Sequence, residues 1–282
     1  MSDYISPGRY RLLPPIVKNL IIINVLMFFA KFVVYSSFGI DLDDILGLHY
    51  FGSEKFYPFQ FITYMFMHGG FSHIFFNMFA LWMFGATLEN YWGPKRFLIF
   101  YFVTGIGAAI VHYTVFYFQV QPMLHTISAY IAHPDIQWFT SFIHGPEFVV
   151  NLTVENHYNT VFLPAFNSAA TGAEQLQATV DFMNWYREAF LNMPNVVGAS
   201  GAIYGLLLAF GMTFPNALIY LYFLFPIKAK WFVLVFGLLE LFSGIRNNPA
   251  DNVAHFAHLG GMLFGLFLIL YWKKKDTNFY QY

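Results

Sequence analysis

Cysteine is absent from this chain and charge is scarce: 10% of residues are Asp, Glu, Lys or Arg, where soluble domains carry about 25%. The first absence excludes disulfides, thiolate metal sites and thiol nucleophiles, and it removes the usual marker of redox compartment. The second excludes an ordinary water-facing surface. A net charge of -1 provides no basic field for nucleic acid, so no partner of that class is expected. What is present is apolar: 58% of the 282 residues are hydrophobic and 22% are aromatic. The bilayer is the solvent such a chain requires, and an all-α polytopic membrane protein is the fold class expected.

A helix needs about 20 residues, rising about 1.5 Å each, to cross roughly 30 Å of hydrocarbon. Six segments qualify, near 17–37, 70–90, 97–118, 198–214, 228–246 and 252–272. The first carries Lys18 and Lys31 and is followed by Asp41, Asp43 and Asp44, which marks a retained span rather than a cleaved signal. The apolar run from Ala217 to Phe225 is bracketed by Pro215 and Pro226, too short to span, and reads as an interfacial connection. Arg9, Arg11 and Lys18, then Lys95 and Arg96, then Lys228 and Lys230, then Lys273, Lys274 and Lys275 all fall on one side of six spans. By the positive-inside rule that side is cytoplasmic. Residues 1–16 are then a short cytoplasmic N-terminus, 17–272 the membrane core and 273–282 a cytoplasmic tail, with 119–195 an extracytoplasmic insertion. Its His125, His133, His144 and His157 lack the paired spacing of a metal site, and Asp181 to Leu191 suggests a short interfacial helix. A surface cap or substrate platform is the expected role. Asn151-Leu152-Thr153 fits the N-glycosylation pattern.

Gly198-Ala199-Ser200-Gly201-Ala202-Ile203-Tyr204-Gly205 opens the fourth span. Gly201 and Gly205 alone could mark helix packing, since small residues four apart let membrane helices approach closely. Ser200 could instead be a nucleophile at a helix N-terminus, which requires a base and an oxyanion site at the same depth. Helices two, four and six run in the same direction. The second begins around His68 and His73, with Asn77 one turn beyond His73; the sixth carries His255 and His258 near its start. Three polar helix ends at one depth are not expected from packing alone, and intramembrane polar groups favour a bundle interior or wet cavity.

These residues resemble the rhomboid intramembrane serine proteases. The resemblance lies in Gly198 to Gly201 with Tyr204, in His73 with Asn77, and in His258 followed by Gly261 and Gly265. It implies a six-helix bundle that cleaves transmembrane-segment substrates near the outer membrane face through a Ser200–His258 dyad. His73, Asn77 and the Ser200 backbone amide would hold the oxyanion. Tyr204 would hold the His258 ring, while Gly198, Gly201, Gly205, Gly261 and Gly265 would support the site and its close helix packing. No cofactor or metal is implied, the partners are transmembrane substrates and the lipid bilayer, and oligomeric state is left open. With no seventh span or transit-like leader, the chain is similar to the basic prokaryotic form, expected in the cytoplasmic membrane.

Other readings stay open. The chain could be an inactive rhomboid-like scaffold for transmembrane clients. It could also hold a metal through His68, His73, His255 and His258 as a metalloprotease or transporter, although the paired His-Glu zinc pattern is absent and no carboxylate is expected nearby. Glu240, a carboxylate in an apolar run, is expected to make a buried structural hydrogen bond, with a functional acid as the alternative. Glu89 is expected to be a solvated helix-end charge or a partner for Lys95 and Arg96. Ser72, Asn252 and His255 are expected at caps, the surface or the cavity mouth.

Overall fold

The computed structural model describes residues 10–221, 224–246 and 253–275; Arg9 and Asn252, invoked above, lie outside them. Two compact units are present, one of residues 1–48, 57–115 and 196–282, the other of residues 49–56 and 116–195. The helices in chain order are α1 Pro15–Phe38, α2 Leu42–Leu46, α3 Gln60–Thr63, α4 Phe71–Ala80, α5 Ala86–Trp92, α6 Pro94–Ala132, α7 Ile136–Ile143, α8 Leu152–His157, α9 Leu163–Ser168, α10 Gly172–Asn192, α11 Ser200–Thr213, α12 Ala229–Arg246 and α13 His255–Lys275. A π-helical turn, Leu81–Gly85, joins α4 to α5 in one continuous rod.

Among the described residues, four helices have the length and apolarity to cross a membrane: Pro15–Phe38, Phe71–Trp92, Pro94–Ala132 and His255–Lys275. Two further helices of the expected set are shorter, α11 with 14 residues and α12 with 18. The molecule is a helical membrane bundle. α1 turns Phe29, Phe32 and Val33 outward, and α12 turns out Leu238, Leu239 and Phe242, as helices bathed in lipid do.

Local chemistry sets the helix limits. Proline occupies the first position of α1, where no backbone donor is needed, and Gly39 ends the helix at φ 68. Glu89 is buried rather than solvated, and its partners are not Lys95 and Arg96. Its carboxylate accepts the backbone N–H groups of Ile16 at 3.0 Å and Val17 at 2.8 Å, supplying acceptors to the otherwise open first turn of α1.

The central bundle is held by close approach at glycine. A Cβ on Gly261 would fall upon the Gly201 carbonyl, and one on Gly205 would lie 2.7 Å from Thr104 Cβ. α11 and α13 therefore pack backbone to backbone, with α6 against the same seam. Gly260, one residue before Gly261, meets Val111 and Ala108 of α6.

Two expected boundaries are corrected. The 217–225 run is not a simple connection: Leu218–Leu221 pairs antiparallel with Phe225–Lys228, Ile219 opposite Ile227. Proline is tolerated at Pro226 because a two-stranded pair has only edges. The third helix continues past residue 118 to Ala132, 39 residues in all. Its tail carries Ile127 and Tyr130 into the core of the second unit, which rewards continuing the helix.

That second unit has a folded core of its own: Ile127, Tyr130, Phe139, Phe142, Val154, Phe162, Phe182, Met183 and Tyr186. α10 has 21 residues, longer than the short helix expected, because the Thr171–Glu174 capping box starts it at Gly172, well before Asp181. Asn151 caps α8 by accepting the Val154 N–H at 2.9 Å. The Tyr186 hydroxyl accepts from the Val149 N–H and donates to its carbonyl, and burial pushes this phenol up to about 12.

Candidate active site

Ser200 is the first residue of α11, so its amide belongs to the helix turn whose N–H groups lack intrahelical acceptors. The turn before it needs glycine. Gly198 has φ 127, a conformation other residues rarely adopt, and a Cβ there would lie 2.8 Å from the His73 ring. The Gly198 N–H donates to the Tyr64 carbonyl at 2.9 Å, and the Tyr64 hydroxyl donates to the Gly105 carbonyl at 2.7 Å. These bonds tie the serine turn to the centre of the bundle.

His258 lies one turn into α13 and is buried. Its Nε2 is 2.8 Å from Ser200 Oγ. The Tyr204 ring lies flat on the imidazole, centroids 4.1 Å apart and planes 9° from parallel.

On α4, His73 packs its ring against Gly198. The Gly69 N–H donates to His73 Nδ1 at 3.4 Å, a long bond that favours the tautomer carrying hydrogen on Nε2. Nε2 faces the serine turn, so the imidazole presents a donor there. Asn77 is buried; one amide hydrogen bonds the His73 carbonyl at 2.8 Å, and the second remains a potential donor. His68 is buried edge-to-face with His73, ring centroids 5.1 Å apart, and its carbonyl accepts from Lys31 Nζ at 2.5 Å. Burial first, then neighbouring His73, pushes the His68 imidazole down to about 3, which keeps it neutral. Lys31 pairs with Asp43 at 2.6 Å, so the charge within the first span is neutralised.

The expectation that no carboxylate lies nearby is overturned. Glu240 reaches from α12 to the far side of His258. Its Oε1 accepts the Tyr204 hydroxyl, and Oε2 accepts His255 Nδ1–H at 2.6 Å. Oε2 is also 2.9 Å from His258 Nδ1, but off the ring's N–H axis, so this contact is electrostatic rather than a linear hydrogen bond. His255 is thus a partner within the site, not a cap or surface residue, and Ser72 is exposed at the start of α4.

The four-histidine metal set does not assemble. Among the described residues, the donor atoms close enough to share an ion belong to Glu240, His255 and His258, all within 4.8 Å of one another. Glu240's oxygens are already engaged by Tyr204 and His255.

Sequence reasoning missed Glu240 as a neighbour of the serine–histidine pair, His255 as its second imidazole contact, and Gly260 as a packing position. An acid in an apolar run was the available signal for the first. Three consecutive small or apolar residues around Gly260 carried none.

An apolar helical bundle in which a half-buried serine, histidine side chains and a buried amide converge at one set of helix ends is a polytopic membrane protein with a candidate active site. The Rhomboid domain model matches residues 55–124 and 152–275, more than half of the chain. The chain belongs to the rhomboid family, a family of intramembrane proteases. It is also similar to an uncharacterized mitochondrial rhomboid protein of Schizosaccharomyces pombe, 22% identical over 295 residues, covering 96% of this chain and 69% of the relative.

Proposed function

We propose that this protein is an intramembrane serine endopeptidase acting through Ser200 and His258. The 2.8 Å contact between Ser200 Oγ and His258 Nε2 carries the reading. The hydroxyl oxygen attacks the scissile carbonyl while Nε2 takes its proton. Negative charge developing on the carbonyl oxygen falls to the Ser200 amide at the positive end of α11, to His73 Nε2–H and to the free Asn77 amide hydrogen. His258 returns the proton to the leaving amine. Water then enters, gives a proton to the same nitrogen and bonds to the acyl carbon; His258 passes that proton to Ser200 Oγ as the acyl–oxygen bond breaks, releasing the new carboxyl end and restoring the serine.

Substrates are single-span membrane proteins. A carbonyl inside a regular helix is hydrogen-bonded and hemmed in, so the substrate helix must unwind locally near its outer end, with a small residue before the cut. Six spans, including the short α11 and α12, put the lysine- and arginine-rich helix ends in the cytoplasm and Ser200 toward the opposite face. The insertion 119–195 is then extracytoplasmic. The membrane is the cytoplasmic membrane of a prokaryotic cell; an organellar membrane is the second reading, favoured by the mitochondrial relative.

Purified protein reconstituted with a single-span model substrate tests this, with product ends mapped by mass spectrometry. One cut within a few residues of the substrate helix's outer end is expected. Stable binding across a panel of such substrates, with none cut, would replace the reading by a scaffold.

A further inference from the structure

We propose that Glu240 is a positioning residue for His258, making the site a serine–histidine–glutamate relay. This rests on the reading of Ser200 and His258 as the reacting pair. Glu240 stands in a helix that otherwise turns leucine and phenylalanine to lipid, yet its carboxylate is buried against α11 and α13. An acid in such a place needs donors on both oxygens, and it has them from Tyr204 and His255.

The consequence for His258 follows from proton placement. Ser200 can donate to Nε2 only when that nitrogen is bare, which puts the ring hydrogen on Nδ1. A carboxylate oxygen 2.9 Å from Nδ1 accepts but cannot donate, so it favours this tautomer. When the serine proton moves to Nε2 the ring becomes a cation beside that carboxylate. No proton passes to Glu240; its charge stabilises the imidazolium, which later protonates the leaving amine. A small turn of the ring brings Nδ1–H onto the carboxylate axis as its charge appears.

Glu240 also fixes the ring from a second direction. Tyr204 stacks on His258 and is itself held through its hydroxyl by Oε1. His255 bonds Oε2 at 2.6 Å and keeps the carboxylate from swinging away. One acidic side chain therefore supplies the charge behind the base and anchors the aromatic plate over it.

A purely structural role would be to tie α12 to the bundle, and kinetics separate the two. In reconstituted protein, Glu240→Gln keeps the shape and loses the charge. Its kcat should fall about 10²–10³-fold with KM within about twofold, because the lost interaction belongs to the transition state. Glu240→Asp should recover at least about tenfold of that loss, with both variants melting close to the wild type. Labelling of Ser200 by a fluorophosphonate probe should slow in parallel with kcat. Wild-type turnover by Glu240→Gln would overturn the relay, as would a loss explained by unfolding and not relieved by Asp. Loss of wild-type activity in EDTA with recovery on adding zinc would also overturn it, since the carboxylate would then be holding a metal. Ser200→Ala, run beside these, separates the levels: cleavage by that variant would remove the underlying dyad, not only the role of Glu240.

Discussion

Gly261→Ala is the sharpest geometric test of how the bundle sets its chemistry. The added methyl falls on the Gly201 carbonyl group, its centre 2.8 Å from the carbonyl carbon and nearer still to the oxygen. Carbon atoms pack at about 3.5 Å or more, so α13 must retreat from α11 by at least about 0.7 Å. Gly261 is three residues beyond His258 on one rigid helix, so His258 moves with it. The 2.8 Å Ser200–His258 contact would then open to at least about 3.5 Å, beyond useful hydrogen-bond length. Misplacement on the 1 Å scale costs about 10²-fold, or about 2.7 kcal/mol of barrier. Cleavage of a fluorogenic transmembrane substrate in proteoliposomes reads this directly. Gly237→Ala is the control, because its methyl meets only the flexible end of Met262, at 3.2 Å, and should leave kcat/KM within about threefold. A fully active Gly261→Ala would refute the idea that glycine contact sets the distance between serine and base.

His73→Ala and Asn77→Ala should each lower kcat by about 10²–10³-fold while leaving folding intact, measured by cleavage kinetics and thermal unfolding. Glu89→Ala should act on stability instead. It strands two α1 N–H groups at about 1–3 kcal/mol each, so the melting temperature should fall while the folded fraction keeps its kcat. Phe182→Ala opens the core of the second unit and should cost about 3–5 kcal/mol there, seen as faster hydrogen exchange in α7 to α10. EDTA should leave wild-type turnover unchanged.

The degree to which the sequence was legible follows from how far each contact reaches along the chain. The glycines and serine of Gly198 to Gly205 announce themselves within two turns of one helix, and His73 with Asn77 or His258 with Gly261 do so within one. A six-span topology would run the three helices the same way, and on that expectation their meeting could be anticipated. Glu240 carried only the mark of an acid in an apolar run, which names no partner. It stands fifteen residues before His255, and only the packing of α12 on α13 brings it to the imidazoles. Glu89 was misread because its partners are backbone amides of α1, 72 and 73 residues away, which no side-chain pattern reveals. The third helix ran past its apolar stretch because a second core held its tail. The 217–225 run formed a strand because an antiparallel partner lay just beyond Pro226.

The central claim is that Ser200 attacks and His258 takes the proton. Its most direct test is the cleavage rate of one transmembrane substrate by the wild type, Ser200→Ala and His258→Ala, at matched folded concentration with and without EDTA. The account predicts cleavage by the wild type in both buffers and none above background by either variant. Cleavage by Ser200→Ala at the wild-type rate would contradict it.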